Sequence, residues 1–269
     1  MIERTIQSIL AQAYTDWEYI IIDDGSTDNT REVVEKYLHD PRIRYITKAN
    51  SGAAHSRNIA VAQAQGDFIT FLDSDDDSLP HWLEVVASKI EPDTGIVCTG
   101  ALRILANGTV IEEELYEMNV YGKKQKVRFT CGSFFIKRSV FSGIKGYDLS
   151  MPTGLQSELG YRAVKFLHDS NLKIVSIPDY LVRIYIHDGP RLRKNFNFLS
   201  KTCLVFINKN LDYFKEWNRS ELSNNYTVIA FYNYKDKNRK AALYYLAKGI
   251  KYRPFRITNY FRFVKYAFL

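Results

Sequence analysis

No stretch of the 269-residue sequence approaches the roughly 20 consecutive apolar residues that a membrane-spanning helix needs, although 46% of its residues are hydrophobic. The start, Met1-Ile2-Glu3-Arg4-Thr5, has no basic segment followed by an apolar one, so no signal peptide is expected. Cysteine is scarce. Cys98, Cys131 and Cys203 are widely spaced, odd in number and outside any C-x-x-C or metal-ligand pattern. That excludes a disulfide framework and a cysteine-ligated metal, and reads as buried free thiols in a reducing cytoplasm. Internal repeats and low-complexity linkers are also missing.

Charge is present but unevenly spread. Residues 190–269 carry 17 Lys and Arg against 4 Asp and Glu, whereas residues 1–189 carry 20 against 26. The first part is therefore acidic enough to hold a metal, and the second is basic enough to face something anionic. We take these as two regions, 1–189 and 190–269.

The first region alternates strand and helix signals. A helix is expected over 3–13, followed by a continuous apolar strand at 19–22, as in a strand buried on both faces of a parallel sheet. Turn and N-cap residues at 23–28 lead into a helix over 29–38. A strand at 43–47, a helix closed by Gly66, a strand at 68–72 and a helix from Pro80 complete a βαβαβα series. That order predicts an α/β fold with a mostly parallel sheet flanked by helices, and ligands beyond the carboxyl ends of its strands. Farther on, strands are expected at 96–105, 110–115 and 127–130, with Asn107-Gly108 as a hairpin turn. A helix at 157–170 and strands at 173–177 and 181–186 follow, and beyond Arg191 only helices.

Both acidic clusters fall at expected strand ends. In Asp73-Ser74-Asp75, two carboxylates one residue apart can place one group on a divalent cation and the other on a ribose hydroxyl. In Asp23-Asp24-Gly25-Ser26-Thr27-Asp28, a carboxylate can accept from a base imide or a ribose. Helix capping is the bland alternative for each. A dinucleotide site is disfavoured, because no G-x-G-x-x-G lies upstream. Around Asn50-Ser51-Gly52, a glycine-containing helix entry with Arg57 behind it suits a phosphate-bearing ligand.

Taken in order, D-D-G-S-T-D-x-T, N-x-G-x-x-x-x-R-N and G-D-F-I-x-F-L-D-x-D-D resemble the inverting family-2 glycosyltransferases of the GT-A fold. The resemblance covers roughly residues 1–190. It implies that Asp23 or Asp24 meets the nucleobase, that Asp73 beside Ser74 meets the ribose, and that Asp75 binds Mn2+ or Mg2+. It also places Arg57 near the nucleotide and makes His187 a candidate third metal ligand. Family members begin with a strand of the type V-S-I-I-I-P-x-Y-N ahead of the position matching Met1. The sequence holds no such segment, so it reads as shortened at that end, with unpaired strand edges and an incomplete base pocket. Family members also carry E-D-x-(D/E)-L-x-x-R, whose base position falls here on Gln156. The candidate catalytic carboxylates are then Glu158 and Asp148.

The implied activity is metal-dependent, inverting transfer of a hexose or N-acetylhexosamine from a nucleotide sugar, UDP-linked, to a glycan or lipid-linked acceptor in polysaccharide synthesis. The alternative is a non-catalytic relative that binds nucleotide or glycan, or scaffolds an assembly. A nucleotidyltransferase would need a Gly-rich basic loop after its first strand, which is missing. The basic, aromatic-rich region 190–269 reads as a peripheral contact with anionic membrane. A solvated helical cap is the other reading, and no nucleic-acid motif accompanies the charge. The expected location is the cytoplasm, at the inner face of the plasma membrane.

Overall fold

The structure is a computed structural model describing residues 1–151, 153–187 and 195–268, with Phe268 in backbone only. It divides into two compact units. One is Met1–Met118, Lys124–Leu149 and Leu155–Asp188; the other is Asn119–Lys123, Ser150–Gly154 and Gly189–Leu269. The second thus takes in two short excursions from the first region, which composition does not reveal.

The first unit opens with α1 (Ile2–Leu10), which buries Thr5, Ile6 and Ile9 on one face. Next come β1 (Tyr19–Asp23), α2 (Thr30–Glu35), β2 (Ile43–Thr47), α3 (Ala53–Gln63) and β3 (Phe68–Thr70). After these lie β4 (Asp77–Ser78), α4 (Trp82–Ala87), β5 (Thr94–Ile104) and β6 (Val110–Glu113). The unit is completed by β8 (Lys123–Val127), β9 (Phe134–Lys137), α5 (Arg138–Gly143), α6 (Leu155–Asp169) and β10 (Lys173–Tyr185); β7 (Tyr116–Val120) pairs with β8.

β1 and β2 pair in parallel, with Tyr19 opposite Ile43 and Asp23 opposite Thr47. A second sheet runs β3-β9-β5-β10-β4, with β6 added to β5. Its β5–β10 pair is parallel, and its other pairs are antiparallel. The α/β class holds, but the sheet is mixed rather than mostly parallel. The reason lies past residue 95, where hairpins replace the crossover helices that parallel neighbours require. Asn107-Gly108 makes one of these turns, with Gly108 at φ +82°.

Two strand expectations also change. Of the segment 127–130 only Val127 is in a strand, as the last residue of β8, and the next strand is β9. Residues 173–185 form one strand, irregular between Ile177 and Tyr180 where Pro178 sits.

β5 is buried continuously from Thr94 to Ala101, as a central strand covered on both faces should be. Its Val97 and Ala101 share a cluster with Ile9, Trp82, Val86, Phe135, Ile177, Leu181 and Val182. A smaller cluster of Ile6, Ile21, Val34 and Ile43 underlies β1 and β2, and Trp17 and Tyr19 pack against both clusters. Among the described residues β1 pairs only with β2 and β3 only with β9, so each keeps one edge without a strand partner.

The second unit is helical: α7 (Phe196–Lys209), α8 (Leu211–Trp217), α9 (Arg219–Lys235), α10 (Arg239–Tyr252) and α11 (Ile257–Phe268). Asn195 and Asn238 cap α7 and α10, accepting from Phe198 N at 3.0 Å and Ala241 N at 3.2 Å. Ser223 Oγ donates to Gly249 O at 2.7 Å, which ties α9 to α10. Ala230, Ala242, Leu246 and Tyr266 form the shared core of α9, α10 and α11.

Candidate active site

The carboxyl ends of β1 and β3 carry the acidic motifs. Asp23 closes β1 and is 8% exposed. Its carboxylate accepts from Ser26 N at 2.7 Å and from the Tyr45 hydroxyl. Burial alone would raise its pKa, but these bonds hold it below the ordinary carboxylate range. Asp24 reaches across to the second motif. Its two oxygens accept from Ser51 N and Gly52 N, each at 2.8 Å, and Lys48 Nζ pairs with it. These donors outweigh its burial and keep it ionised. Gly52 suits that role because its φ of +89° orients the N–H as the chain enters α3. The motifs at 23–30 and 50–58 are thus two halves of one hydrogen-bonded loop pair.

α3 then presents Arg57, whose side chain is 18% exposed. Its Nη2 donates to Asp73 Oδ1 at 2.8 Å and to Cys131 Sγ at 3.2 Å. The guanidinium lies 5.7 Å from the Phe71 ring centre and 5.6 Å from that of Tyr147.

Beyond β3 the chain turns sharply, with Asp76 N donating to Asp73 O at 3.0 Å. The turn gathers Asp73, Asp75 and Asp76, one oxygen from each lying within 4.8 Å of the others. Ser74 is exposed at its tip. Asp75 Oδ2 is 3.1 Å from His187 Nε2, just past β10. Asp76 is 4% exposed, and its Oδ1 accepts from Tyr185 N at 2.9 Å. Burial pushes its carboxyl up to about 7; the Tyr185 bond opposes this, and the charges of Asp75 and Asp73 reinforce it. Three carboxyls converging so closely, one of them driven towards neutrality, form a donor set of hard oxygens that suits a Mn2+ or Mg2+ ion.

Sequence reasoning missed the residues that hold this turn. Thr5 Oγ1 donates to Asp76 O at 2.7 Å, and Arg4 donates to Asp75 O while lying over the Tyr185 ring. Asp77, 1% exposed, accepts from Arg183 Nε at 2.5 Å and Tyr185 OH at 3.0 Å, and pairs with Arg4 at 3.4 Å. Asp76 and Asp77 were within sight in the acidic run. Arg4, Thr5 and Tyr185 gave no local signal, since each acts across 71 or more residues.

In α6, Gln156 is 9% exposed. It accepts from Tyr147 OH at 2.9 Å and donates to Cys131 Sγ at 3.1 Å, which joins it through Cys131 to Arg57. Glu158 is 2% exposed, and both its oxygens accept from Arg162, at 2.7 and 2.6 Å. Arg162 in turn donates to Ile144 O at 2.6 Å and Gly146 O at 2.8 Å. That pair fixes the turn ahead of Tyr147, which Asn58 also holds through bonds of 2.8 and 2.9 Å. Asp148 follows directly and is half-buried.

A mixed sheet with a carboxylate loop at the end of β3, beside a helix entry that Asp24 ties down, matches the GT-A fold. S. aureus TarS in complex with UDP-GlcNAc superposes with a TM-score of 0.66 at 16% identity, over 93% of this chain and 77% of that one. A Pyrobaculum calidifontis mannosyltransferase, PcManGT, in complex with GDP-Man and Mn2+ gives 0.60 at 14%, over 93% and 71%. Residues 1–145 match the family described as Glycosyl transferase family 2. The chain belongs to that family. A protein of Escherichia coli (strain K12) provisionally named as the colanic acid biosynthesis glycosyl transferase WcaA is 48% identical over 194 residues, which cover 69% of this chain and 62% of WcaA. Against other curated relatives the chain spans about half their length or less, from 47% down to 10%.

Proposed function

We propose that the chain transfers a hexosyl or N-acetylhexosaminyl unit, with inversion, from a UDP-linked sugar to a glycan or lipid-linked acceptor. The observation that carries this reading is the convergence of Asp73, Asp75 and Asp76 at the end of β3, with Arg57 held on Asp73. Asp75, Asp76 and His187 would hold Mn2+ or Mg2+, which supplies positive charge against the departing diphosphate. Asp73, oriented by Arg57, would accept from the ribose beside Ser74. Asp23 and the loop pair that Asp24 holds together would form the base side. The named relatives in polysaccharide synthesis and the UDP-GlcNAc complex of TarS support the donor and acceptor classes.

Inversion needs a carboxylate that takes the acceptor hydroxyl proton while the oxygen attacks the anomeric carbon opposite the diphosphate. Glu158 already gives both oxygens to Arg162, so we assign it to positioning the turn at 144–147. Asp148, at the end of that turn, is the assigned base. A second reading rests on Gln156: with an amide at the usual base position, the chain would bind nucleotide and transfer nothing. Titration with UDP, with and without Mn2+, together with a transfer assay, separates the two. Metal-dependent binding with transfer supports the proposal, and binding with no transfer supports the second reading. Absence of metal-dependent binding overturns both.

A further inference from the structure

Helix α11 is turned inside out. At about 100° per residue, Ile257, Tyr260, Phe261 and Val264 fall on a single stripe. Their exposures are 68%, 47%, 72% and 58%. The opposite face points inward and carries Asn259, fully buried, and Tyr266, 3% exposed. Among the described residues neither amide atom of Asn259 has a hydrogen-bond partner. A helix that only capped a soluble fold would bury the Ile–Phe–Val stripe and turn the asparagine to water. Just ahead of it, Phe255 is 95% exposed. Unlike isolated exposed apolar residues, the four on the helix form one stripe.

The charges around the patch have a single sign. Residues 251–269 contain Lys251, Arg253, Arg256, Arg262 and Lys265 and no Asp or Glu. Burial first, and then the like charges of Arg262 and Arg253, lower the pKa of Arg256, so three guanidiniums crowd together on this segment. An apolar stripe bordered by uncompensated cations complements a bilayer surface, whose acyl boundary takes the stripe and whose phosphates take the cations. At about 1.5 Å per residue, the 12 residues of α11 fall well short of the roughly 30 Å hydrocarbon core. No described helix is long and apolar enough to cross a membrane. The helix would lie in the interface.

We infer that α11 and the preceding Arg253–Arg256 turn dock this chain on an anionic phospholipid surface, with Ile257, Phe261 and Val264 inserted and Arg253 and Lys265 on the headgroups. This is independent of the reaction proposed above, since it invokes no residue of the acidic site.

The test is co-sedimentation of the full chain with phosphatidylcholine vesicles and with phosphatidylcholine–phosphatidylglycerol vesicles. Binding is expected to the anionic vesicles alone and to weaken as salt rises. The double variant Ile257→Ser/Phe261→Ser should lose about tenfold or more in affinity, with an unchanged circular dichroism spectrum and unchanged transfer to a soluble acceptor. Arg253→Gln/Lys265→Gln should abolish the anionic preference. In Phe261→Trp, indole emission should shift to the blue on anionic vesicles. Failure of the parent chain to pellet, or equal pelleting of the folded double variant, overturns the inference. So does a concentration-dependent dimer that the double variant breaks while neither form binds vesicles, because a second copy would then cover the patch.

Discussion

Arg57 and Asp73, 16 residues apart in sequence, meet through a 2.8 Å bond from Nη2 to Oδ1, and this bond aims one carboxylate of the acidic loop. The guanidinium is the more buried partner, at 18% against 47% side-chain exposure, so the anchored side is Arg57. Arg57→Ala should lower the affinity for UDP with Mn2+ about ten- to a hundredfold, in line with about 1.5–3 kcal/mol for a hydrogen bond to a charged group. Arg57→Lys should recover little, because a point charge cannot serve Asp73 and Cys131 together across the Phe71 and Tyr147 rings. Titration calorimetry reads both variants.

The four consecutive aspartates from 73 onward, Ser74 aside, divide into two jobs. Asp75→Asn should remove metal-dependent UDP binding while leaving the thermal midpoint close to that of the parent. Asp77→Asn should do the reverse. Its carboxylate is 1% exposed and serves Arg4 and Arg183, each 40% exposed. Loss of the charge should cost about 2 kcal/mol, below the range for a fully buried pair because both guanidiniums retain solvent. Denaturant unfolding checks the value.

Asp148 and Glu158 separate in the same way. Asp148→Asn should abolish transfer and leave UDP–Mn2+ affinity unchanged. Glu158→Gln should lower stability, since it breaks a charged pair buried to 2% on the carboxylate side, yet retain transfer per folded molecule. If Glu158→Gln instead abolishes transfer at unchanged stability, Glu158 is the base and the assignment of Asp148 fails.

The three thiols should be inert in the folded protein. Burial pushes Cys98 and Cys131 up to about 12 and Cys203 up to about 11. At pH 8 the thiolate fraction is therefore about two hundredfold below that of a free cysteine for Cys203 and about two thousandfold below it for Cys98 and Cys131. Iodoacetamide should label none of the three in native protein and all three after denaturation, as intact mass would show.

Much of this site was legible in the sequence because its motifs are contiguous. The apolar run of β1 ending in Asp23-Asp24, and the strand ending in Asp73, place carboxylates at strand ends by local chemistry alone. What escaped reading acts at long range. Arg4 and Thr5 look like ordinary residues of a helix start, and only the packing of α1 against β4 brings them to the acidic turn. The sequence suggests separate strands at 173–177 and 181–186, yet β10 passes Pro178 with a register shift and resumes its pairing to β5 at Tyr180. Glu158 has the residue type of a base and the spacing of an i,i+4 partner for Arg162, and the sequence does not rank one above the other.

The bond from Tyr185 N to Asp76, together with the approach of His187 to Asp75, has a consequence for how the protein is made. All three sequence blocks have been synthesised once residue 76 is complete, and the family match ends at residue 145. The strand that supplies Tyr185 comes later still, and it must settle beside β5 and β4 before the acidic turn has its full set of neighbours. A nascent chain stopped short of β10 would carry every recognisable signature of a donor site and still lack the fastening that gives the site its shape. The acidic turn therefore takes its full shape late in synthesis, together with the closing of the second sheet.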